Sequence, residues 1–140
     1  VILEKAWQAE ILILGSPVYF GDVTGEMRSF FERLVFPFTS YDREIPTLFS
    51  GTKKTAVIYT MNVADDSGYR PFQQMTMERT LKRLFGQVES LAALDTYQFD
   101  DYAQYHAPLF DAKAKKTRLE TVFPQDLKKA YELGKKLVLQ

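Results

Sequence analysis

The sequence predicts an α/β fold in which helices cover a parallel β-sheet. Short, continuously apolar runs rich in Ile, Leu and Val are typical of strands buried on both faces. Along the chain these runs alternate with segments whose apolar residues recur every three or four positions, the spacing of an amphipathic helix. The order helix, strand, helix, strand, helix, strand, helix favours parallel strands joined by right-handed crossovers within one domain.

The composition excludes several classes of function. Apolar residues make up 46% of the 140 residues, enough for one packed core. The 18 basic residues balance the 18 acidic residues, so the chain lacks a general attraction to nucleic acids or anionic membranes. Because the chain has no Cys, it has no disulfide, thiolate metal site or cysteine nucleophile. Apolar runs such as 11–14 are far shorter than the roughly 20 residues that cross a bilayer.

The first half of the chain contains two predicted helices and one predicted strand. Residues 1–9 have the spacing of the last turns of a helix, without the basic leader of a signal peptide. Residues 11–16 predict a strand, and residues 18–23 a loop. Thr24 is the predicted N-cap of the next helix, which ends at Pro37. The apolar face of that helix comprises Met27, Phe30, Phe31, Leu34 and Val35.

A long crossover loop over residues 37–52 leads to a second predicted strand over residues 54–61, which is rich in β-branched residues. After a turn-forming segment, Pro71 opens a third helix, and Gly86 lies near its end. Its apolar face comprises Met77, Leu81, Leu84, Phe85 and Val88.

The last part of the chain is less regular. Residues 91–99 predict a third strand, and residues 100–122 form a loose segment that we interpret as a lid or a subunit contact. Pro124 then opens a terminal helix. The predicted apolar face of that helix comprises Leu127, Ala130, Tyr131, Gly134, Leu137 and Val138.

The most informative segment follows the first strand. It reads Gly15-Ser16-Pro17-Val18-Tyr19-Phe20-Gly21, and the next helix contains Met27-Arg28-Ser29-Phe30-Phe31-Glu32-Arg33. In order and spacing this resembles the flavodoxin-like NAD(P)H-dependent FMN reductases and the related iron–sulfur flavoproteins. The third strand of those families ends in a Ser/Thr-Pro-x-Tyr-aromatic-Gly loop, and their next helix reads roughly Gly-x-Leu/Met-Lys/Arg-x-Phe-hydrophobic-Asp-Arg. This chain departs at Glu32, where Asp is more usual, and has Arg28 where Lys is common.

The resemblance implies a flavodoxin-like open parallel sheet with helices on both faces, of which this chain contributes three strands. It implies that residues 1–140 are the C-terminal portion of a single such domain. It also implies a cytoplasmic FMN-dependent oxidoreductase that passes a hydride from NADH or NADPH to the flavin. The acceptor would be quinone-like, an azo or nitro compound, or free flavin. A homodimer or homotetramer is expected, because such flavoproteins commonly complete the flavin pocket with a neighbouring subunit.

The residues of the loop suit a flavin ring on physical grounds. The ring has a flat apolar face and a polar rim, so its site needs apolar walls and backbone hydrogen-bonding groups. Pro17 fixes the backbone, Gly21 permits a turn or a close approach, and Thr60 and Asn62 could bond to the rim while Met61 covers a ring face. The alternative is a simple turn in which Tyr19 and Phe20 only pack. The predicted cofactor-binding residues are Ser16, Pro17, Val18, Tyr19, Phe20, Gly21, Thr60, Met61 and Asn62.

The proteins that this chain resembles hold the FMN phosphate in a Gly/Ser/Arg/Asn-rich loop that lies upstream of the matching region. No such pattern occurs in residues 1–140, so we expect it before Val1. The iron–sulfur relatives keep their cysteines in the same upstream region.

Other polar residues are assigned no role in chemistry. The flavin itself performs the redox step, so no catalytic residue is named, and no metal ligand is assigned. His106, the only His, and the lysines of 113–116 are interpreted as surface loop residues, and the pairs 65–66 and 100–101 as solvated turns. Two other functions stay open: an electron carrier resembling flavodoxin, and an interaction domain that has lost FMN.

Overall fold

The fold is built on one β-sheet with helices packed against it. The computed structural model describes residues 2–139. Its sheet has four strands in the order β2-β1-β3-β4. The strands are β1 Ile11–Tyr19, β2 Asp22–Val23, β3 Lys53–Thr60 and β4 Gly86–Ala93. The α-helices are α1 Ile2–Gln8, α2 Gly25–Val35, α3 Arg70–Gln73, α4 Arg79–Phe85, α5 Ala112–Thr121 and α6 Phe123–Leu139. A π-helical turn, Gln74–Glu78, joins α3 to α4, and short 3₁₀ helices span Phe36–Phe38 and Tyr102–Gln104.

Strands β1, β3 and β4 are parallel, as the alternation of strands and helices predicts. The register runs from Ile11 opposite Lys54 to Pro17 opposite Thr60, and β4 pairs with β3 along its whole length. β2 is a short antiparallel partner at the end of β1. The α/β class and the three parallel strands are therefore confirmed.

One face of the sheet carries the main core. Alternate residues of β1 and β3 point to this face and are buried, because helices α1, α2 and α4 cover it. Phe85 of α4 packs edge-on against Phe38 and Phe49, at centroid distances of 5.9 and 4.9 Å. The large residues at the centre of this core are Leu12, Leu14, Phe31, Leu34, Val57, Tyr59, Met77, Leu81, Leu84 and Phe85.

The opposite face of the sheet is covered only in part. Leu137 of α6 is buried, and Lys136 pairs with Glu89 of β4 at 2.6 Å. Ile13 of β1 is opposite Ala56 of β3, which is opposite Glu89, so Ile13 lies on the same face as Glu89. Ile13 is 47% exposed. The spacing of apolar residues in α6 is helical, as predicted, but Tyr131 remains 69% exposed and Leu127 56% exposed.

Two predictions about element boundaries are wrong. The third strand covers Gly86–Ala93 rather than 91–99, because α4 ends at Phe85 and Gly86, with φ of 96°, turns the chain directly into the strand. Val88 accordingly belongs to β4 and not to a helix face.

Residues 100–122 are also more ordered than the sequence indicates. They contain α5, whose N-cap Asp111 accepts hydrogen bonds from the backbone amides of Lys113 and Ala114. The lysines of 113–116 therefore lie on a helix, and one of them, Lys115, is buried. No helix within residues 2–139 has the length and apolar character needed to cross a membrane.

Candidate functional site

The segment predicted to contact the flavin forms a tight β-hairpin. Val18 and Tyr19 pair with Val23 and Asp22, which leaves Phe20 and Gly21 as a two-residue turn. Both turn residues have positive φ, 53° and 86°, as in a type I′ hairpin, whose twist matches that of the flanking strands. The predicted loop over 18–23 is thus an extension of β1 and a short β2. The Phe20 side chain projects fully into solvent at its tip.

Ser16 and Thr24 join the base of this hairpin to the start of α2. The Ser16 hydroxyl, which is buried, donates to the Pro17 carbonyl at 2.8 Å and accepts from the Thr24 amide at 3.1 Å. Thr24 is the N-cap of α2, as predicted, because its hydroxyl accepts from the Met27 amide at 3.2 Å. The Ser16 hydroxyl therefore holds the base of the hairpin in place through backbone hydrogen bonds, and it does not lie on the surface of the loop.

A charged pair fixes the returning strand of the hairpin. Nη2 of Arg28 lies 2.7 and 2.9 Å from the two carboxylate oxygens of Asp22, and Asp22 also accepts from the Val23 amide at 2.8 Å. Arg28 lies one turn into α2, directly beside β2. From helical spacing alone, the expected partner of Arg28 is Glu32, four residues further along α2. The contact with Asp22 cannot be read from that spacing, because it forms only when the hairpin brings β2 beside the helix.

Tyr69 covers the hairpin from the loop after β3. A Cβ atom placed on Gly21 would lie 2.8 Å from Cδ1 of the Tyr69 ring, so this close approach requires glycine. The Asp65 carboxylate shapes the same loop by accepting from the Ser67 amide at 2.9 Å, and its hydrogen bonds to Ser67 lower the pKa of Asp65. The loop of 65–69 is thus a turn, as predicted, with Tyr69 placed toward the hairpin.

A polar cluster lies in the core behind these loops. Arg70 lies over the Tyr59 ring, 5.7 Å from its centroid, and its Nη1 is 3.0 Å from a Glu78 carboxylate oxygen. Ser90 donates to the other Glu78 oxygen at 3.1 Å and accepts from Arg70. Burial, and then the Glu78 charge, raise the pKa of the Tyr59 hydroxyl above its ordinary value. Glu78 is the last residue of the π-helical turn. Its carboxylate joins Arg70, which precedes that turn in the chain, to Ser90 of β4.

The second predicted segment lies beside the first, but part of it is used internally. Thr60 is half-buried and is the register partner of Pro17, so the ends of β1 and β3 meet. Met61 is only 4% exposed, and its backbone amide and carbonyl bond to Ala93 and Thr96 at 3.0 and 3.1 Å. The amide nitrogen of Asn62 lies 2.5 Å from the side-chain oxygen of Gln98, and its oxygen accepts from Lys115.

The structure thus places Ser16, Pro17 and Thr60 together at the carboxyl ends of two neighbouring parallel strands. Tyr19 is exposed, with Phe20, at the hairpin beyond them. Sequence reasoning missed the side chains that hold this edge of the sheet in place. They are Asp22, Tyr69, Arg70, Glu78 and Lys115. Within residues 2–139, no cluster of three or more His, Cys, Asp or Glu side chains could hold a metal ion.

The arrangement suits a flat, partly apolar ligand with a polar rim. Exposed aromatic side chains stand beside backbone groups and a threonine hydroxyl, and the hairpin that carries them is fixed on three sides, by Ser16, Arg28 and Tyr69. An isoalloxazine ring has this character, so the residues present fit the group that the sequence predicts.

Comparison with known protein families gives a match over the first part of the chain. Residues 1–62 match the family model described as NADPH-dependent FMN reductase, a region that runs from α1 to just beyond β3. The resemblance deduced from the sequence is confirmed over this region, and the mostly parallel open sheet agrees with a flavodoxin-like fold. The match supports NADPH-dependent FMN reduction in general terms. No curated protein and no solved structure gives a significant match to the chain.

Proposed function

We propose that this chain forms the flavin-ring side of a cytoplasmic FMN-dependent oxidoreductase that uses NADH or NADPH. The observation that carries the proposal is the rigid type I′ hairpin. It presents Tyr19 and Phe20 beyond the carboxyl ends of β1 and β3, where Pro17 pairs with Thr60, inside the region that matches the reductase family. In open parallel sheets this edge is where ligands bind.

When bound, FMN would supply the redox chemistry, hydride transfer from the nicotinamide and electron transfer to a quinone-like, azo, nitro or flavin acceptor. The task of this chain is to bind and orient the ring. In the proposal, Pro17, Val18 and Gly21 provide backbone contacts, and Tyr19 and Phe20 provide apolar walls. The Thr60 hydroxyl bonds to the polar rim. Met61 and Asn62 border the same site.

We further propose that the domain is completed by a strand and a helix that precede these residues in the polypeptide. From residue 11 to residue 17, the outer edge of β1 has no strand beside it among residues 2–139. Helix α1 packs on the same face as α2, where Trp7 donates to the Leu34 carbonyl at 3.1 Å. Right-handed crossovers whose helices lie on the same face of a sheet proceed in the same direction. The crossovers to β3 and β4, through α2 and α4, move away from the open side of β1, so a crossover that enters β1 through α1 on the same face must start on that open side. A helix over Ile13 would also cover the exposed apolar residues of α6.

Association into a homodimer or homotetramer is part of the proposal. Two segments, residues 36–41 and residues 97–110, expose more large apolar side chains than loops in contact with water need. Phe36 and Tyr41 are 69% and 91% exposed in the first, and Tyr105 and Leu109 are 53% and 90% exposed in the second. Sedimentation velocity at micromolar concentration tests this part of the proposal, and a single monomeric species contradicts it.

The central experiment is a titration of FMN, followed by its fluorescence, with the 140-residue chain and with the longer polypeptide proposed above. We expect saturable binding, and rapid bleaching of the bound flavin when NADH or NADPH is added under anaerobic conditions. Binding with slow reduction under excess of both nucleotides would instead indicate an electron carrier. Failure of both proteins to bind FMN would support an interaction domain and contradict the proposed function.

A further inference from the structure

Lys115 of α5 is a buried cation whose side-chain hydrogen bonds go to the loops at the carboxyl edge of the sheet. Its side chain is 6% exposed, and Nζ donates to Oδ1 of Asn62 and to Oδ1 of Asp95. The ammonium also lies 5.2 Å from the centroid of the Phe110 ring. An ammonium group at this depth is tolerated only when it is fully paired.

The two partners of Lys115 belong to loops that bond to each other. We call them the strand-end loops: residues 61–63, which follow β3, and residues 93–96, which include the end of β4. Their backbones exchange three hydrogen bonds, of 2.8 to 3.1 Å, from the amides of Met61, Asp95 and Thr96. Asp95 has a φ of 51°, a conformation that costs free energy in a residue other than glycine and must be held by its surroundings.

Lys115 joins both loops through side chains. Its ammonium donates to the side-chain oxygen of Asn62, and the side-chain nitrogen of Asn62 donates to Gln98 at 2.5 Å. Both polar atoms of the Asn62 side chain are therefore hydrogen-bonded within the protein. Lys115 also neutralises Asp95, whose other carboxylate oxygen is 4.0 Å from Nε of Arg118. The strand-end loops begin directly after Thr60.

We propose that Lys115 is a positioning residue for the flavin site, and that Asn62 acts through Lys115 rather than by contact with the ring. The ammonium fixes the strand-end loops, and the loops fix the end of β3 so that the Thr60 hydroxyl is held beside Pro17. This inference rests on the proposed function for its link to FMN. Its claim about the loops does not depend on any ligand.

The test compares Lys115→Met, which keeps the length of the side chain but removes the charge, with Lys116→Met. Lys116 is the neighbouring lysine on α5 and is exposed, so its replacement controls for the loss of one positive charge. A milder variant, Asp95→Asn, keeps an oxygen acceptor for Lys115 and guards against a Lys115→Met protein that fails to fold.

Amide hydrogen exchange without ligand gives the first readout. In Lys115→Met we expect exchange at Met61, Asp95 and Thr96 to be roughly tenfold faster or more, because a hydrogen bond to a charged group is lost. Asp95→Asn should give a smaller change, and exchange at Phe31 in α2 should not change. Equal protection of the three loop amides in Lys115→Met and Lys116→Met would overturn the positioning role.

FMN affinity gives the second readout. We expect roughly tenfold weaker binding by Lys115→Met and unchanged binding by Lys116→Met. Loosened loops with unchanged FMN affinity would overturn the link to the cofactor while leaving the proposed function intact. A wild-type protein that binds no FMN would overturn the proposed function, and with it the link from Lys115 to the cofactor.

Discussion

Among residues 2–139, two residues other than glycine have left-handed backbone conformations, and both lie where strands end. Phe20 has φ of 53° at the hairpin tip, and Asp95 has φ of 51° after β4. Such conformations cost about 1–3 kcal/mol and collect at functional sites. Asn, Asp or Gly would occupy the turn position of Phe20 with less strain. The exposed aromatic ring is therefore placed there against the local preference of the backbone, as expected of a group that binds something.

Gly21 gives the first prediction at this scale. Replacement by Val should weaken FMN binding by roughly tenfold to a hundredfold, because strain of about 1–3 kcal/mol is introduced. The φ of 86° disfavours a β-branched residue, and the new Cβ would lie 2.8 Å from the Tyr69 ring. His106→Ala should change the affinity less than twofold. FMN titration of both variants provides the measurement.

Because strain could also unfold the hairpin, Gly21→Asn serves as the matched control. Asn tolerates positive φ but carries a Cβ atom. Gly21→Asn therefore keeps the close contact with the Tyr69 ring while avoiding most of the backbone strain that Val introduces. Circular dichroism and thermal unfolding establish that each variant is folded. Wild-type affinity in a folded Gly21→Val protein would mean that residues 16–21 are not the flavin loop.

Asp126 gives a prediction about pH. The carboxylate is 5% exposed and bonds to Arg118 at 2.8 Å and to Lys129 at 3.1 Å. Burial opposes its charge, but the two cations outweigh burial and lower the pKa of Asp126 below the ordinary value of an aspartate. The folded state then binds a proton less readily than the unfolded state, so this pairing stabilises the fold above the ordinary carboxyl pKa. The contribution should be lost as the pH falls through the folded-state value.

Urea unfolding between pH 7 and pH 3 measures this contribution. At pH 7 we expect Asp126→Asn to lower the free energy of unfolding by about 1–3 kcal/mol, and at pH 3 the difference from wild type should shrink. Asp100→Asn, at an exposed position, is the control and should change stability by less than about 0.5 kcal/mol. A penalty for Asp126→Asn that does not depend on pH would show that the carboxylate charge is not its cause.

At the scale of elements, success in prediction depended on how local the determinants are. Thr24 caps α2 within three residues of its own position, and Phe31, Leu34 and Val35 are buried as their spacing predicts. The start of β4 was missed because a helix and a strand meet at Gly86 without an intervening loop. α5 was missed because it has no continuous apolar stripe. Its docking depends on the pairing of Lys115 with Asp95 and of Arg118 with Asp126, two acids outside the helix itself.

The cap of α2 can be tested directly. Thr24→Ala removes the hydroxyl that accepts from the Met27 amide and should lower the free energy of unfolding by about 1 kcal/mol. Thr24→Ser keeps that oxygen and should remain within about 0.5 kcal/mol of wild type. Urea unfolding at neutral pH compares the three proteins. Similar losses in both variants would indicate that the Thr24 methyl group, rather than the cap, matters.

At the scale of the whole molecule, the sequence predicted the two segments that form the candidate site but not the side chains that hold them. Pro17 and Thr60 could be placed together because parallel strands end at one edge of a sheet. The contacts of Tyr69 with Gly21 and of Lys115 with Asn62 join residues 48 and 53 positions apart, and no local pattern encodes them. The pairing of Asn62 with Lys115 could likewise be known only once α5 was placed.

The uncovered face of α6 is the other property of the whole molecule. Tyr131 is 69% exposed on a helix whose Leu137 is 1% exposed, so the apolar surface of α6 exceeds what the sheet buries. The exposed Ile13 lies on the same face of the sheet as Glu89, which pairs with Lys136 of α6. We have proposed that a preceding strand and helix cover this surface, which predicts that α6 substitutions act differently in the shorter and longer polypeptides.

Tyr131→Lys tests that proposal. In the 140-residue chain the new lysine can remain in water, so the free energy of unfolding should change by less than about 0.5 kcal/mol. In the longer polypeptide the same lysine would have to leave water or push the covering helix away, and we expect a loss of about 1–3 kcal/mol. Leu109→Lys, at a position that is 90% exposed and outside α6, is the matched control and should act equally in both polypeptides. Urea unfolding of the four variant proteins and the two parents supplies the comparison. Equal effects of Tyr131→Lys in both polypeptides would mean that nothing packs on this face of α6. That result would contradict the proposal that the preceding helix covers α6.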